Sequence, residues 1–185
     1  MRIVKSAVVY TALSLMANAA VAEGTDISAL RSGDMMKLTI HSAPISASDD
    51  TFTAETGEEL SISDFSGQIV LMNFWATWCA PCREEMPSLS ALQSELGGAD
   101  FAVVTIATGP NPAPAMARFM DEEGIDNLPL HTDLRQQFAR SMGVMGLPVT
   151  VILDRNGQEI ARLQGDADWA SDSARAIFAA LIAAE

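Results

Sequence analysis

Three short windows of the chain are apolar almost without a break: Ile69 to Trp75, with Asn73 inside it, Phe101 to Ala107, and Val149 to Leu153. Runs of this length read as strands of a buried sheet. Between the first two, Arg83 to Leu96 carries apolar residues at Met86, Leu89, Leu92 and Leu96, which is helix spacing, and Gly97-Gly98 ends it. Strand, long helix, strand implies a parallel pair joined by a right-handed crossover. Further helices are predicted over Ala115–Glu123, with Pro114 near its first position and Gly124 at its end, and over Leu134–Met142, capped by Asp133 and stopped by Gly143. Asn127 to Thr132 between them reads as extended. Asp154-Arg155-Asn156-Gly157 predicts a hairpin turn from which Gln158 to Leu163 returns antiparallel. Trp169 to Ala184 is an amphipathic helix that would cover the sheet with Ala174, Ile177, Phe178 and Leu181. Ahead of all this, Thr51–Thr53 and Leu60–Ile62 flank the turn Glu55–Glu58 as strand, turn and strand, and Ser63–Gly67 reads as one helical turn. The class is α/β, a central mixed sheet flanked by helices.

The first 50 residues follow a different pattern. Met1 to Lys5 is a short basic start, Ala7 to Met16 is apolar, and Ala20-Val21-Ala22 fits a small-residue cleavage site, so residues 1–22 read as a signal peptide. The apolar stretch is short for a membrane span of about 20 residues, and an uncleaved N-terminal anchor is the other reading. Residues 23–50 read as an N-terminal extension with a linker over Ala43–Asp50, and 51–185 as the folded domain. In the extension, a short helix around Asp26–Met36 and an extended piece Lys37–His41 are expected, with Met35 and Met36 packing on the domain rather than joining His41 as a metal patch.

Charge narrows the partners. The 185-residue chain carries 11 basic and 24 acidic residues, net −13, and removing the leader takes away Arg2 and Lys5 and moves the net charge to −15. That balance argues against nucleic acid or an anionic membrane surface as partner.

Both cysteines of the chain, Cys79 and Cys82, lie in Trp75-Ala76-Thr77-Trp78-Cys79-Ala80-Pro81-Cys82-Arg83, where a strand hands over to a helix. Thiols at this spacing can close a small ring or grip one soft metal ion. A structural zinc site wants four ligands, and His41 and His131 lie far off without paired spacing. A structural staple across so short a loop would constrain little. A peroxidatic role needs a cysteine outside the pair, and there is none. Redox exchange and Cu(I) binding by Cys79 and Cys82 remain. At a helix N-terminus orphan N–H groups and the helix dipole stabilise an anion, so Cys79 is assigned as nucleophile with a lowered pKa. Cys82, one turn further in, is the resolving thiol.

The stretch V-L-M-N-F-W-A-T-W-C-A-P-C, together with F-T-A-E-T-G-E-E-L-S-I-S-D-F-S-G before it, resembles the TlpA/ResA-like extracytoplasmic thiol-disulfide oxidoreductases of the thioredoxin superfamily. The resemblance covers roughly Thr51 to the C-terminus. It implies a thioredoxin-like fold with an N-terminal hairpin and a helix–strand insertion, which the predicted helix Ala115–Glu123 and extended piece Asn127–Thr132 match. It implies that Pro148 is a cis-proline facing the cysteines, that Leu147 offers its backbone to an extended client, and that Trp78, Ala80 and Pro81 shape the surface around Cys79 with Trp75 packed beneath. The expected activity is reduction of protein disulfides outside the cytoplasm, in the periplasm, with no cofactor beyond the Cys79–Cys82 disulfide. Expected clients are apocytochrome c or copper-site proteins, with a membrane thiol protein as electron donor and the chain itself a monomer. A Cu(I) carrier using the same pair is the alternative. Many cytoplasmic thioredoxins hold a buried acid where this chain has Asn73, and TlpA/ResA-like proteins often show asparagine there. Asparagine cannot relay a proton, and Glu84 and Glu85 read as solvated helix-surface residues, so the proton route to Cys82 stays open.

Overall fold

The computed structural model describes residues 26–184. The leader over residues 1–22 lies outside them.

Eight strands form one mixed sheet: β1 (Thr39–Ser46), β2 (Phe52–Thr53), β3 (Glu59–Leu60), β4 (Ile69–Trp75), β5 (Phe101–Thr108), β6 (His131–Asp133), β7 (Val149–Leu153) and β8 (Gln158–Gln164). Their order across the sheet is β1-β8-β7-β4-β5-β6-β2-β3. β4, β5 and β6 run parallel, while β7 is antiparallel to β4 and β8 to β7. Every residue of β4 is buried, Asn73 included, as its almost continuously apolar composition predicts for a central strand covered on both faces. The helices are α1 (Ala80–Leu96), α2 (Ala113–Glu123), α3 (Gln137–Ser141) and α4 (Asp172–Ala183). Leu71 and Trp75 pack on one face with Met86 and Leu89 of α1, Phe119 of α2 and Phe178 of α4. Met72 and Phe74, pointing the other way by the two-residue period of a strand, pack with Phe52 and with Phe138 of α3.

Phe138 is the centre of that second layer. It is fully buried, with ring centroids 5.1 Å from Phe52 and 5.7 Å from Phe74. Phe138→Ala should cost about 3–5 kcal/mol, the range for truncating a buried phenylalanine, read as a lower urea midpoint at an unchanged slope.

The sequence-based expectations need three corrections. The stretch Ala43–Asp50 is not a linker throughout, because Thr39–Ser46 pairs with β8 as the edge strand, with a register shift between Ile40 and Ile45. His41 Nε2 lies 2.7 Å from Glu159 Oε1, and Arg162 donates to both oxygens of Glu159 at 2.6 Å, so a side-chain cluster ties this edge down. His41 is thereby engaged, and Met35 is fully buried while Met36 is exposed, so the three gather no metal patch. The N-terminal helix is two 3₁₀ turns, Ser28–Leu30 and Gly33–Lys37. The predicted helix Leu134–Met142 shrinks to Gln137–Ser141. Asp133 caps it from a strand, its carboxylate accepting from the Gln137 and Ala139 N–H groups at 3.0 and 2.8 Å, while Gln136 sits in the left-handed region at φ 56° and blocks an earlier start.

The hairpin β2–β3 is fixed to β6 through His131, whose Nδ1 accepts from the Glu55 N–H at 3.3 Å beside the Phe52 ring. Burial holds the imidazole below its ordinary pKa, in the neutral form that can accept.

Candidate active site

The parallel strands β4, β5 and β6 all point the same way, so the segments leaving their C-terminal ends meet at one end of the sheet, where open α/β sheets place their sites. Three such segments converge: Ala76–Cys79 after β4, the loop Gly109–Pro112 after β5, and Leu134–Gln136 after β6. The chain entering β7, Met142 to Pro148, joins them because β7 runs antiparallel to β4.

Cys79 is the N-cap of α1, and its Sγ accepts from the Cys82 N–H at 3.4 Å. Cys79 and Cys82 form a disulfide with an S–S distance of 1.99 Å and a Cα–Cα distance of 5.3 Å. Cys79 is 6% exposed and Cys82 fully buried, so an incoming thiol or disulfide meets Cys79 first. On reduction, a thiolate on Cys79 would face the first-turn N–H groups and the positive end of a 17-residue helix. Helix α1 runs on through Pro87.

The other sequence-predicted residues lie on the segments that meet at this end of the sheet. Ala80 and Pro81 are exposed in the first turn of α1, and Trp78, at 64%, stands out into solvent beside Cys79. Trp75 is fully buried in the layer that holds Cys79 and Cys82, 5.7 Å from the Phe119 ring, over which the Arg83 guanidinium sits at 4.8 Å. The Leu147–Pro148 peptide is cis. Pro148 is buried, Leu147 half-buried, and Met145, three residues before the proline, is 89% exposed. Leu147 takes no backbone hydrogen bond among the described residues.

Two residues at the site escape a reading of the sequence. Asn111 accepts from the Thr77 N–H at 2.8 Å and its hydroxyl at 3.0 Å, tying the cysteine loop to the loop after β5. Nothing in its Gly/Pro-rich surroundings marks it. The second is Glu85, and here the surface expectation is overturned. Glu85 is 2% exposed. Its Oε1 accepts from Asn73 Nδ2 at 2.8 Å, and its Oε2 from Trp169 Nε1 at 2.9 Å and from the Ala167 N–H at 3.2 Å. Burial pushes its pKa up from 4.5 to about 7 against those three hydrogen bonds, and the like charge of Asp166 adds to the rise. A signal is present in the sequence: Glu85 lies three residues after Cys82 and on the stripe that carries Met86 and Leu89, so it must face inward with them. Glu84, its neighbour, is exposed as expected.

A buried carboxyl near neutrality, one helical turn from a buried cysteine, can take up and return a proton at physiological pH. For metal, the pair offers two sulfur ligands, and no cluster of three or more histidine, cysteine, aspartate or glutamate side chains occurs among the described residues.

The sheet order, the cis-proline loop and a cysteine pair opening α1 define the thioredoxin fold. Solved structures agree on the fold: a thiol:disulfide interchange protein of the thioredoxin family from Chlorobium tepidum superposes with a TM-score of 0.63 at 23% identity over 77% of this chain and 99% of that one. A secreted thiol-disulfide isomerase from Corynebacterium glutamicum does so with 0.64 at 22%, over 82% and 93%. Within that fold class the chain belongs to the Redoxin family, whose model matches residues 41–178. Among curated relatives it is 34% identical over 111 residues to the thioredoxin-like protein YneN of Bacillus subtilis and 31% identical over 112 residues to the thiol-disulfide oxidoreductase ResA of Geobacillus kaustophilus. These matches span 60% of this chain and 65% and 63% of the two relatives.

Proposed function

We propose that this chain is an extracytoplasmic thiol–disulfide oxidoreductase that reduces disulfides in protein clients. One observation carries the reading: Cys79, the only one of the two cysteines with any exposed surface, caps α1, while Cys82 and Glu85 follow it on successive turns of the same helix, deeper in the core. The Cys79 thiolate attacks a client disulfide, the Cys79–client bond forms and one client thiolate leaves. Cys82 then gives its proton to Glu85, attacks Cys79 Sγ and expels the second client thiolate, leaving the Cys79–Cys82 disulfide. Two electrons pass to the client, and an external dithiol must return them.

Trp78, next to Cys79 in the chain, and Met145, in the loop before Pro148, are exposed apolar side chains that a client can cover, and the unpaired backbone of Leu147 can add an extended client segment as a short strand. The leader pattern at residues 1–22 supports export to the periplasm, with or without a remaining tether. In an oxidising space a reductase needs a dedicated membrane thiol donor, and by family resemblance its clients are apocytochrome c or the cysteines of a copper site. None of the described helices is long and apolar enough to cross a membrane.

The test is the reduction potential of the Cys79/Cys82 pair, by equilibration with dithiothreitol and glutathione buffers. A value at or below about −270 mV, the thioredoxin range, is expected. A value near −120 mV, that of strong disulfide donors, would overturn the direction.

A further inference from the structure

A proton acceptor beneath the disulfide must be tolerated in both of its protonation states. The surroundings of Glu85 suit one of them. Its two oxygens face only donors: the Asn73 amide on Oε1, the Trp169 indole and the Ala167 backbone N–H on Oε2. A carboxylate accepts all three, but the O–H of the neutral acid finds no acceptor in that arrangement, and a buried donor without a partner costs about 1–3 kcal/mol. Indole and backbone N–H groups can only donate. The Asn73 side chain alone has an acceptor at its other end, and that atom, Oδ1, is buried without a hydrogen-bond partner.

Thr150 makes the exchange feasible. It lies opposite Asn73 across the β4–β7 pair, its Oγ1 is 2.9 Å from Asn73 Nδ2, and a hydroxyl serves as acceptor or donor by rotation. We infer that the Asn73 amide turns over when Glu85 is protonated, presenting Oδ1 to the acid proton on Glu85 Oε1 and to the Thr150 hydroxyl, and turns back when that proton leaves. With Glu85 ionised, Nδ2 donates to both neighbours. With Glu85 neutral, Oδ1 accepts from both. In each orientation the outward end of the amide is the unpartnered one, so the proton on Glu85 selects between them. Asn73 is therefore a positioning residue: it touches no reacting sulfur and acts by giving both states of Glu85 a partner. Two other charged groups act on Glu85: Asp166, in the segment after β8, whose like charge opposes ionisation, and Lys37, in the N-terminal segment, which favours it. Neither is hydrogen-bonded to Oε1. The proton comes from Cys82 Sγ, whose electron pair stays on sulfur for the attack on Cys79. The use of the switch rests on Glu85 being that proton acceptor, whereas its occurrence needs only that Glu85 titrates.

The experiment is NMR of the full-length oxidised protein, labelled with ¹⁵N at asparagine, in which no thiol titrates. Between pH 5 and pH 9 the Asn73 side-chain NH₂ signals should shift with the Glu85 titration. Their nuclear Overhauser contacts to the Glu85 and Thr150 side chains should be present at high pH and lost at low pH. Glu85→Gln provides the decisive comparison. The introduced amide satisfies the two donors at Trp169 and Ala167 only by keeping its oxygen there, which turns its own NH₂ toward Asn73. That variant should show the low-pH Asn73 pattern at every pH. High-pH contacts retained in Glu85→Gln, or Asn73 signals unchanged through the wild-type titration, would overturn the inference. A parallel stopped-flow measurement of Cys82 attack on a preformed Cys79 mixed disulfide separates the two ideas. If the amide contacts switch but Glu85→Gln leaves the rate and its pH profile unaltered, the inference stands and Glu85 loses its role as proton acceptor. If the rate falls while the contacts stay fixed, Glu85 keeps its role and the inference falls.

Discussion

Cys82→Ser should leave the protein covalently joined to its client. Serine is close in size to the fully buried cysteine it replaces, so the fold and the Cys79 thiolate at the α1 N-terminus persist, and attack on a client disulfide proceeds. The release step cannot, because no second thiol reaches Cys79. Turnover should fall by about 10³-fold or more, the scale on which loss of a reacting group acts, and a reductant-sensitive adduct should accumulate on non-reducing gels and by intact mass. Cys79→Ser should lose activity to the same degree and form no adduct, because Cys82 is shielded from the client. An adduct of equal yield from Cys79→Ser would reverse the assignment of nucleophile and resolving thiol.

Glu85→Gln should change the pH dependence of both stability and catalysis. The folded-state pKa of Glu85 is raised from 4.5 to about 7. The native protein therefore holds a proton that the unfolded chain has already released between those values. The contribution of Glu85 is fully present below about pH 4.5, declines as pH rises through about 7, and is gone above it. A rise of this size is worth about 3 kcal/mol at 1.36 kcal/mol per unit. Urea unfolding of both proteins from pH 4 to pH 9 should show the wild type losing about 3 kcal/mol relative to Glu85→Gln across that window, since the other titrating groups are shared. A difference that stays flat would mean that Glu85 is not ionising near neutrality. In catalysis, Cys82 attack in the wild type should rise with an apparent pKa near 7, and the variant should lose that ionisation and a factor of about 10² or more in rate, the lower end of what a positioned acid–base group contributes.

These two effects differ in how visible their residues are in the chain. The cysteine pair can be read directly, because a strand apolar but for Asn73, two glycines and a leucine-spaced helix bracket it within 30 residues, and local pattern suffices where an element is either buried throughout or strongly periodic. Glu85 reads instead as one of two solvated acids. The residue names favour solvent, while helical phase puts position 85 in register with Cys82 and Met86, and only the closure of Trp169 and Ala167 over the carboxylate turns that phase into burial. Asn73, known from the sequence only as a residue that cannot relay a proton, becomes the partner of the one that can.

Strand β1 is legible only in part for a different reason. Its residues are mostly small, polar and exposed, and its register comes from a partner over 100 residues away through the Glu159 cluster with His41 and Arg162. The α3 helix is overextended in the sequence because a nine-residue apolar-periodic window cannot show that its cap, Asp133, already belongs to β6.

By itself the sequence determined the central strands, the helix that carries the cysteines, the pairing of those cysteines at a helix start, and the fold class, since these follow from patterns within a few turns of chain. The tertiary structure alone decided that Glu85 is an inward acid with a pKa near 7 and that Asn73, Thr150 and Trp169 gather round it. Contacts between residues 12 to 84 positions apart set these features, and the free energy of a buried charge depends on what surrounds it, which no local pattern contains.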